Sequence, residues 1–256
     1  MSSGTVQALW RWPAKSMGGE QVNALRIGPC GAAGDRSHAV LHHHKGEWRP
    51  LTAREAPRLL AWSAAYPFNL DAGIDAEKPP YALISDPDHR HTYAWGDPRL
   101  CAALTDDLGR DVRLARDTEG GLQDLPRSLL VTTAATLAAL SRELGTDVDP
   151  RRFRTNLHLE LDAPPWVEEG WEGMELVFAG GVRLQLLHPC ERCAIPTRDP
   201  DTQAKWPELL KHLVRRHGQR FGINARVLNA GRVAVGEVVE LTVSEPSPSV
   251  SGVFGR

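Results

Sequence analysis

Thr5-Val-Gln-Ala-Leu-Trp-Arg-Trp-Pro-Ala-Lys-Ser16 is the stretch on which the fold turns. From Thr5 to Trp12 the side chains are alternating, β-branched and aromatic apolar groups, which reads as a strand. Pro13 removes a backbone donor and ends it. The strand thereby delivers a lysine beside a hydroxyl, Lys15 and Ser16, at its end. Runs of the same kind recur at Gln21 to Ile27, Ser37 to His42, His91 to Trp95, Asn156 to Leu161, Glu175 to Phe178, Val182 to Leu187, Ile223 to Leu228 and Glu237 to Val243. Gly and Pro punctuate nearly every junction. The expectation is a mostly β protein of α+β type, with a β-barrel-like body, an intimately packed N-terminal β-rich domain and a few helices.

Helical periodicity is confined to three places. Asp97 to Leu108 spaces Leu100, Leu104 and Leu108 on one face, Thr133 to Leu144 repeats Leu137, Leu140 and Leu144 behind a capping threonine, and Trp206 to His217 aligns Leu209, Leu210 and Leu213. The polar, Gly-rich stretch from Arg116 to Gln123 marks a boundary. We expect a first domain over 1–118, a second over 119–245 and a Ser/Pro-rich tail over 246–256.

Bulk properties narrow the function. A formal net charge of −2 in 256 residues offers no basic excess for nucleic acid, yet leaves room for a local basic pocket. No run approaches the roughly 20 apolar residues that span a bilayer, and the polar start before Thr5 does not read as a signal peptide. The cysteines at 30, 101, 190 and 193 are too sparse for a disulfide-stapled secreted domain. A cytoplasmic protein with reduced thiols and no membrane partner is expected.

The densest chemistry lies in His188-Pro-Cys-Glu-Arg-Cys-Ala-Ile-Pro-Thr-Arg-Asp-Pro-Asp201. A redox dithiol would want a helix immediately after the CxxC, and Pro196 and Pro200 oppose one. A structural zinc site would want a second pair, which the distant Cys30 and Cys101 do not make. The third reading is a reactive thiolate beside Arg192, whose charge favours the ionised sulfur. A plain loop with incidental cysteines stays open on this segment alone. Elsewhere Gly34-Asp-Arg36 and Arg152-Phe-Arg-Thr-Asn156 open strands with arginines. Each reads singly as a turn or a surface charge. Together Lys15, Arg36 and Arg154 would make a dianion pocket, lysine as a point charge and arginine as a bidentate fork. His42-His-His44, ahead of the turn at Lys45-Gly46, reads as surface histidines, and His188 and His217 as structural. Cys30, Cys101 and the tryptophans read as core or rim residues.

Five motifs in order resemble the MOSC family. Trp-Pro-Ala-Lys-Ser16 resembles the family's N-terminal signature. Gly34-Asp-Arg36 and Thr52-Ala-Arg54 follow in its spacing, and Arg152-Phe-Arg-Thr-Asn156 resembles its arginine box. Cys190-Glu-Arg-Cys193 with Asp199-Pro-Asp-Thr202 resembles its cysteine loop, and Phe221-Gly-Ile-Asn224 and Val235-Gly-Glu-Val238 its closing strands. The family includes the mitochondrial amidoxime-reducing component. The resemblance implies a molybdenum cofactor (Mo-molybdopterin) with Cys193 as metal ligand. Lys15, Ser16, Arg36 and Arg154 would hold phosphate and pterin, Asn156 would shape the pocket, and Glu191 and Arg192 would lie along the cofactor. Thr132 and Asn224 are further contacts, and Asp124 is the candidate proton relay. Ala14, Thr155, Gln203 and Asn224 depart from the family's usual residues and leave the substrate open.

The implied activity is a molybdenum-dependent oxidoreductase that reduces N-hydroxylated small molecules. No ferredoxin cysteine pattern follows the domain, so electrons would come from a separate ferredoxin- or flavoprotein-type partner. Two rivals stand beside it: a cofactor or sulfur carrier with a Cys193 persulfide, and a MOSC fold turned to a use without molybdenum.

Overall fold

The computed structural model describes residues 2–67, 80–117, 119, 121–123 and 125–243. The expected proton relay, Asp124, and the tail over 246–256 lie outside the described residues.

Seven strands close a barrel, and we number them in chain order: β1 (Ser3–Arg11), β2 (Ser128–Thr133), β3 (Leu157–Leu161), β4 (Glu175–Phe178), β5 (Arg183–Glu191), β6 (Arg220–Asn229) and β7 (Val238–Thr242). Around the barrel the order is β3-β2-β6-β5-β4-β7-β1, and β1 pairs back onto β3 to shut the ring. Only the β2–β3 pairing is parallel. That pairing needs a crossover, which the helix α2 (Ala134–Leu144) begins. Period-two alternation fixes which face is inside: Leu157, Leu159 and Leu161 of β3 are buried in the barrel core, and His158 and Glu160 point the other way. β1 is therefore a stave of the same barrel as the C-terminal strands, held by Thr5 opposite both Glu160 and Val238.

The expected mostly β fold with a barrel is what the structure shows. A second core lies around Leu51, Leu59, Trp62, Ile84, Trp95 and Leu100. Two three-stranded sheets flank it, one of His38–His44, Glu47–Pro50 and Val112–Arg116, the other of Ser63–Ala65, Leu83–Ser85 and Thr92–Ala94. The helix α1 (Pro98–Leu108) buries Leu100 and Leu104 against this core. It starts at Asp97, whose carboxylate accepts the Arg99 N–H, and ends at Gly109 in the left-handed region. A third core joins α2 to α3 (Pro207–His217) through Leu140, Leu209, Leu213, Phe153 and Phe221. Thr133 caps α2 by accepting from the Thr136 N–H, and Gly145 and Gly218 close α2 and α3. No helix among the described residues is long and apolar enough to cross a membrane.

Three expectations need correction. The run Gln21 to Ile27 is two strands, Glu20–Val22 and Ala24–Gly28, broken at Asn23 so that the first pairs with β1 and the second with Gly231–Ala234. The apolar run to Leu187 does not stop there: β5 continues to Glu191, carrying Pro189 and Cys190 through register shifts against β6. Pro189 has no N–H to donate, and such irregular positions are where a sheet accepts proline. Finally, Lys45 and Gly46 do form a two-residue hairpin turn, both with positive φ, but His42 faces inward rather than to the surface, 6% exposed, with its Nε2 3.6 Å from a Glu55 carboxylate oxygen.

Candidate functional site

Where β1 ends, the chain turns at Pro13 and is zipped onto the segment leading to His38. Arg36 donates its N–H to the Trp12 carbonyl at 2.7 Å, and Lys15 donates to the His38 carbonyl at 2.8 Å. Asp35, buried between them, accepts the Trp12 N–H at 2.8 Å and the Asn156 side-chain amide at 3.1 Å, and forms an ion pair with Arg36. Asn156 also accepts the Leu130 N–H at 3.1 Å through its Oδ1. One carboxylate and one amide thus tie β1, β2 and the Gly34–Arg36 turn together. Gly34 is required there: φ is +77° and a Cβ would meet the Tyr66 ring at 2.6 Å.

These ties place Lys15, Ser16, Arg36, Arg154, Asn156, Glu191, Arg192, Cys193 and Asn224 around one cavity of about 300 Å³. Cys190 and Arg54 line it too, so that among the described residues five basic side chains line it against one carboxylate, Glu191. The near-neutral chain does hide a local basic pocket. Three of the lining residues, Ser16, Arg36 and Arg154, adopt left-handed backbone with φ of 66°, 48° and 54°. Non-glycine residues adopt this conformation at a cost of order 1–3 kcal/mol each, and such positions cluster at functional sites. No sequence signal marked them.

The guanidinium groups are held in place by the fold. Arg154 donates Nη1 to the Met17 carbonyl, and its guanidinium carbon lies 4.4 Å from the Trp12 ring centre. Arg36 donates Nη2 to the Arg154 carbonyl at 3.1 Å. Lys15 donates Nζ to the Leu122 carbonyl at 2.8 Å. Ser16 accepts the Ala53 N–H on its hydroxyl at 3.0 Å, which brings the Thr52–Arg54 segment to the cavity.

In the cysteine loop Arg192 stands beside the first of the two thiols, Cys190. Its Nη1 donates to Cys190 Sγ at 2.9 Å and its Nη2 to the Phe153 carbonyl at 2.7 Å. Its buried Nε has no hydrogen-bond partner among the described residues. Both cysteines of the loop line the cavity, and all four cysteines are free thiols. Asp199 folds the rest of the loop by accepting the Asp201 N–H, the Thr202 N–H and the Thr202 hydroxyl. The Thr202 N–H, helped by the ion pair with Arg152, holds the Asp199 carboxyl below its ordinary range. Pro196 sits in a single 3-10 turn, Ile195–Thr197, so the CxxC is not followed immediately by an α-helix.

Thr132 is the expected contact that the structure leaves out. Its buried hydroxyl bonds to Thr155 at 3.1 Å and to His158 Nδ1 at 2.8 Å, and it does not line the cavity. Arg54, Thr52, Gln123, Ser128 and Phe153 line it without having been singled out as contacts. The motif Thr52-Ala-Arg54 was the available signal for the first two. Behind the site, burial pushes the His38 imidazole down to about 4 despite its bond to the Pro13 carbonyl.

The family model described as MOSC domain matches residues 112–240, and the MOSC N-terminal beta barrel domain matches residues 3–94. Among solved structures, the YuaD protein of Bacillus subtilis is similar at 16% identity, covering 96% of this chain and 99% of that one with a TM-score of 0.52, a likeness of fold. YiiM of Geobacillus stearothermophilus matches at 18% identity over 46% of this chain and 54% of its own, with a TM-score of 0.34. No curated protein matches significantly.

Proposed function

Because this chain belongs to the MOSC domain family, we propose that its cavity binds the molybdenum cofactor and that the protein is a molybdenum-dependent reductase of N-hydroxylated small molecules. The observation that carries this reading is the convergence of Cys193 with five basic side chains on one cavity.

The donor set fits the group. A soft thiolate suits a thiophilic metal, and lysine and arginine forks suit a phosphate. The buried, unpartnered Nε of Arg192 is a donor that lacks an acceptor, a state native proteins seldom leave in place. Lys15, Ser16, Arg36 and Arg154 would hold phosphate and pterin, with Asn156 fixing the wall they stand on. Glu191, Arg192 and Asn224 would lie along the cofactor, and Cys193 would ligate the metal. When bound, the cofactor would supply a two-electron redox centre able to accept an oxygen atom from an N–O bond.

The protein's own part is electrostatic and positional. Its cations are anchored on backbone carbonyls, so they need no reorganisation when an anion enters. Left-handed backbone at Ser16, Arg36 and Arg154 aims the three side chains from sharp turns. Conversion of a hydroxylamine to an amine and water consumes two electrons and two protons, which a separate ferredoxin- or flavoprotein-type donor and solvent would deliver.

The test is molybdenum and pterin analysis of protein made in a cofactor-competent host, followed by turnover of a hydroxylamine with an artificial reductant. The expected result is near-stoichiometric molybdenum, lost in Cys193→Ala together with turnover. A protein free of both metal and pterin, from a host that loads a control, would remove this reading. Cyanide-labile sulfur on Cys193 without retained metal would instead identify a sulfur carrier.

A further inference from the structure

We propose that Glu143, His212 and His217 form a binding site for a zinc-class divalent ion that pins α2 to α3. None of the three residues lines the cavity described above.

Two imidazoles converge on one atom. His212 Nε2 lies 2.6 Å and His217 Nε2 lies 2.7 Å from the same oxygen, Glu143 Oε2. The possible ligand atoms of the three residues all lie within 4.8 Å of one another. Two histidines and a carboxylate are a donor set that zinc and its first-row neighbours take, with water completing the coordination. Tetrahedral ligation at about 2.0–2.1 Å spaces ligand atoms by about 3.3 Å. The present contacts need open by only about 0.6 Å to admit the ion, well within the reach of these partly exposed side chains.

The surroundings are arranged for the same purpose. Trp166 stacks on His217 with centroids 3.5 Å apart and planes 11° from parallel. Its indole N–H donates to the other Glu143 oxygen, Oε1, at 3.3 Å. One side chain therefore fixes the plane of one ligand and the rotation of another, the outer support that well-formed metal sites carry. Trp166 is itself packed against the core shared by α2 and α3. Glu143 and His217 stand at the C-terminal ends of their helices, where partial negative charge accumulates. A carboxylate is poorly placed there by itself and well placed beside a cation. Arg142, Arg215 and Arg216 occupy the same last turns, and none of them is paired with Glu143.

The experiment is zinc titration of the full chain after chelator treatment, in a Cys190→Ser/Cys193→Ser background that removes the competing thiols. Cobalt absorption gives the ligand type. We expect a single tight site, a cobalt spectrum without the thiolate charge-transfer band, and a zinc-dependent rise in Tm. Glu143→Gln keeps the shape and a hydrogen-bond acceptor, and should weaken zinc at least tenfold, as should His212→Asn. Absence of zinc binding in the double-serine protein would overturn the site, and so would an affinity unchanged in Glu143→Gln. Because Glu143→Gln is isosteric and half-exposed, its melting curve without metal separates loss of ligand from loss of fold.

Discussion

Acidification should unload stability from this fold through two imidazoles buried neutral, and His158 permits the amount to be worked out. His158 is 4% exposed on β3, bonded through Nδ1 to the Thr132 hydroxyl at 2.8 Å and set edge-on to Trp10. Burial lowers its pKa from 6.5 to about 4. The folded pKa lies below the unfolded one, so between the two values the unfolded chain binds the extra proton. The stabilisation is complete above the unfolded pKa and is lost as pH falls from there toward the folded value. At pH of about 5 the proton-binding terms differ roughly thirtyfold, or ~2 kcal/mol. His38, also pushed down to about 4 chiefly by burial, adds a similar ~2 kcal/mol. Urea unfolding at pH of about 7.5 and about 5 should therefore show a loss of ~4 kcal/mol from these two groups. His158→Gln, although less stable at the higher pH, should lose ~2 kcal/mol less between the two conditions. Contributions from carboxylates are common to both proteins and cancel in the difference. An equal loss in the two proteins would refute the reasoning, because His158 would then carry its proton equally in the folded and unfolded states.

Further outcomes follow from single contacts. Arg154→Ala removes a charge-assisted donor worth about 1.5–3 kcal/mol, and pterin retained after gel filtration should fall by roughly ten- to a hundredfold. Phe153 is stacked on Phe221 with centroids 3.7 Å apart and is fully buried. Phe153→Ala should cost about 3–5 kcal/mol in denaturant unfolding, with cofactor content falling alongside because the Phe153 carbonyl anchors Arg192. Gly34→Ala drives a methyl into the Tyr66 ring at a positive φ, and should lower stability by at least about 1–3 kcal/mol. A near-neutral result by thermal melt would mean that the turn relaxes.

The parts of the fold open to reading in sequence were those with a local physical cause. Thr133 announced its helix because a short polar side chain before an apolar 3.6-period pattern caps backbone donors wherever it occurs, and α1 showed itself in the spacing of Leu100 and Leu104. The strand from Thr5 was visible because Pro13 stops it. The partner of β1 was not visible, since pairing with Leu157–Leu161 and Val238–Thr242 is decided by barrel closure and not by any neighbour in sequence. Short strands such as Ser63–Ala65 and Leu83–Ser85 carry too few residues for a period to show. At the site, chemistry-bearing types in ordered motifs placed nine candidates on one cavity. Side-chain direction was out of reach: Arg192 reaches Cys190 and Phe153, and Thr132 turns toward His158. Glu143 and the two histidines of α3 lie 69 and 74 positions apart, so only the packing of two helices brings them together.

Closure of the barrel by β1 also sets the order in which the molecule can be completed. Thr5 lies opposite Val238, 233 positions along the chain. During synthesis the first stave leaves the ribosome long before either of its barrel neighbours exists, with only Glu20–Val22 at hand to pair with its C-terminal end. Ring closure over so long a span carries a large entropic cost and comes late. Until then Val6 and Leu9, buried in the finished barrel, are exposed to whatever will cover them. The same strand leads directly into Lys15 and Ser16, so the segment that shuts the barrel is also the one that delivers two residues of the basic cavity.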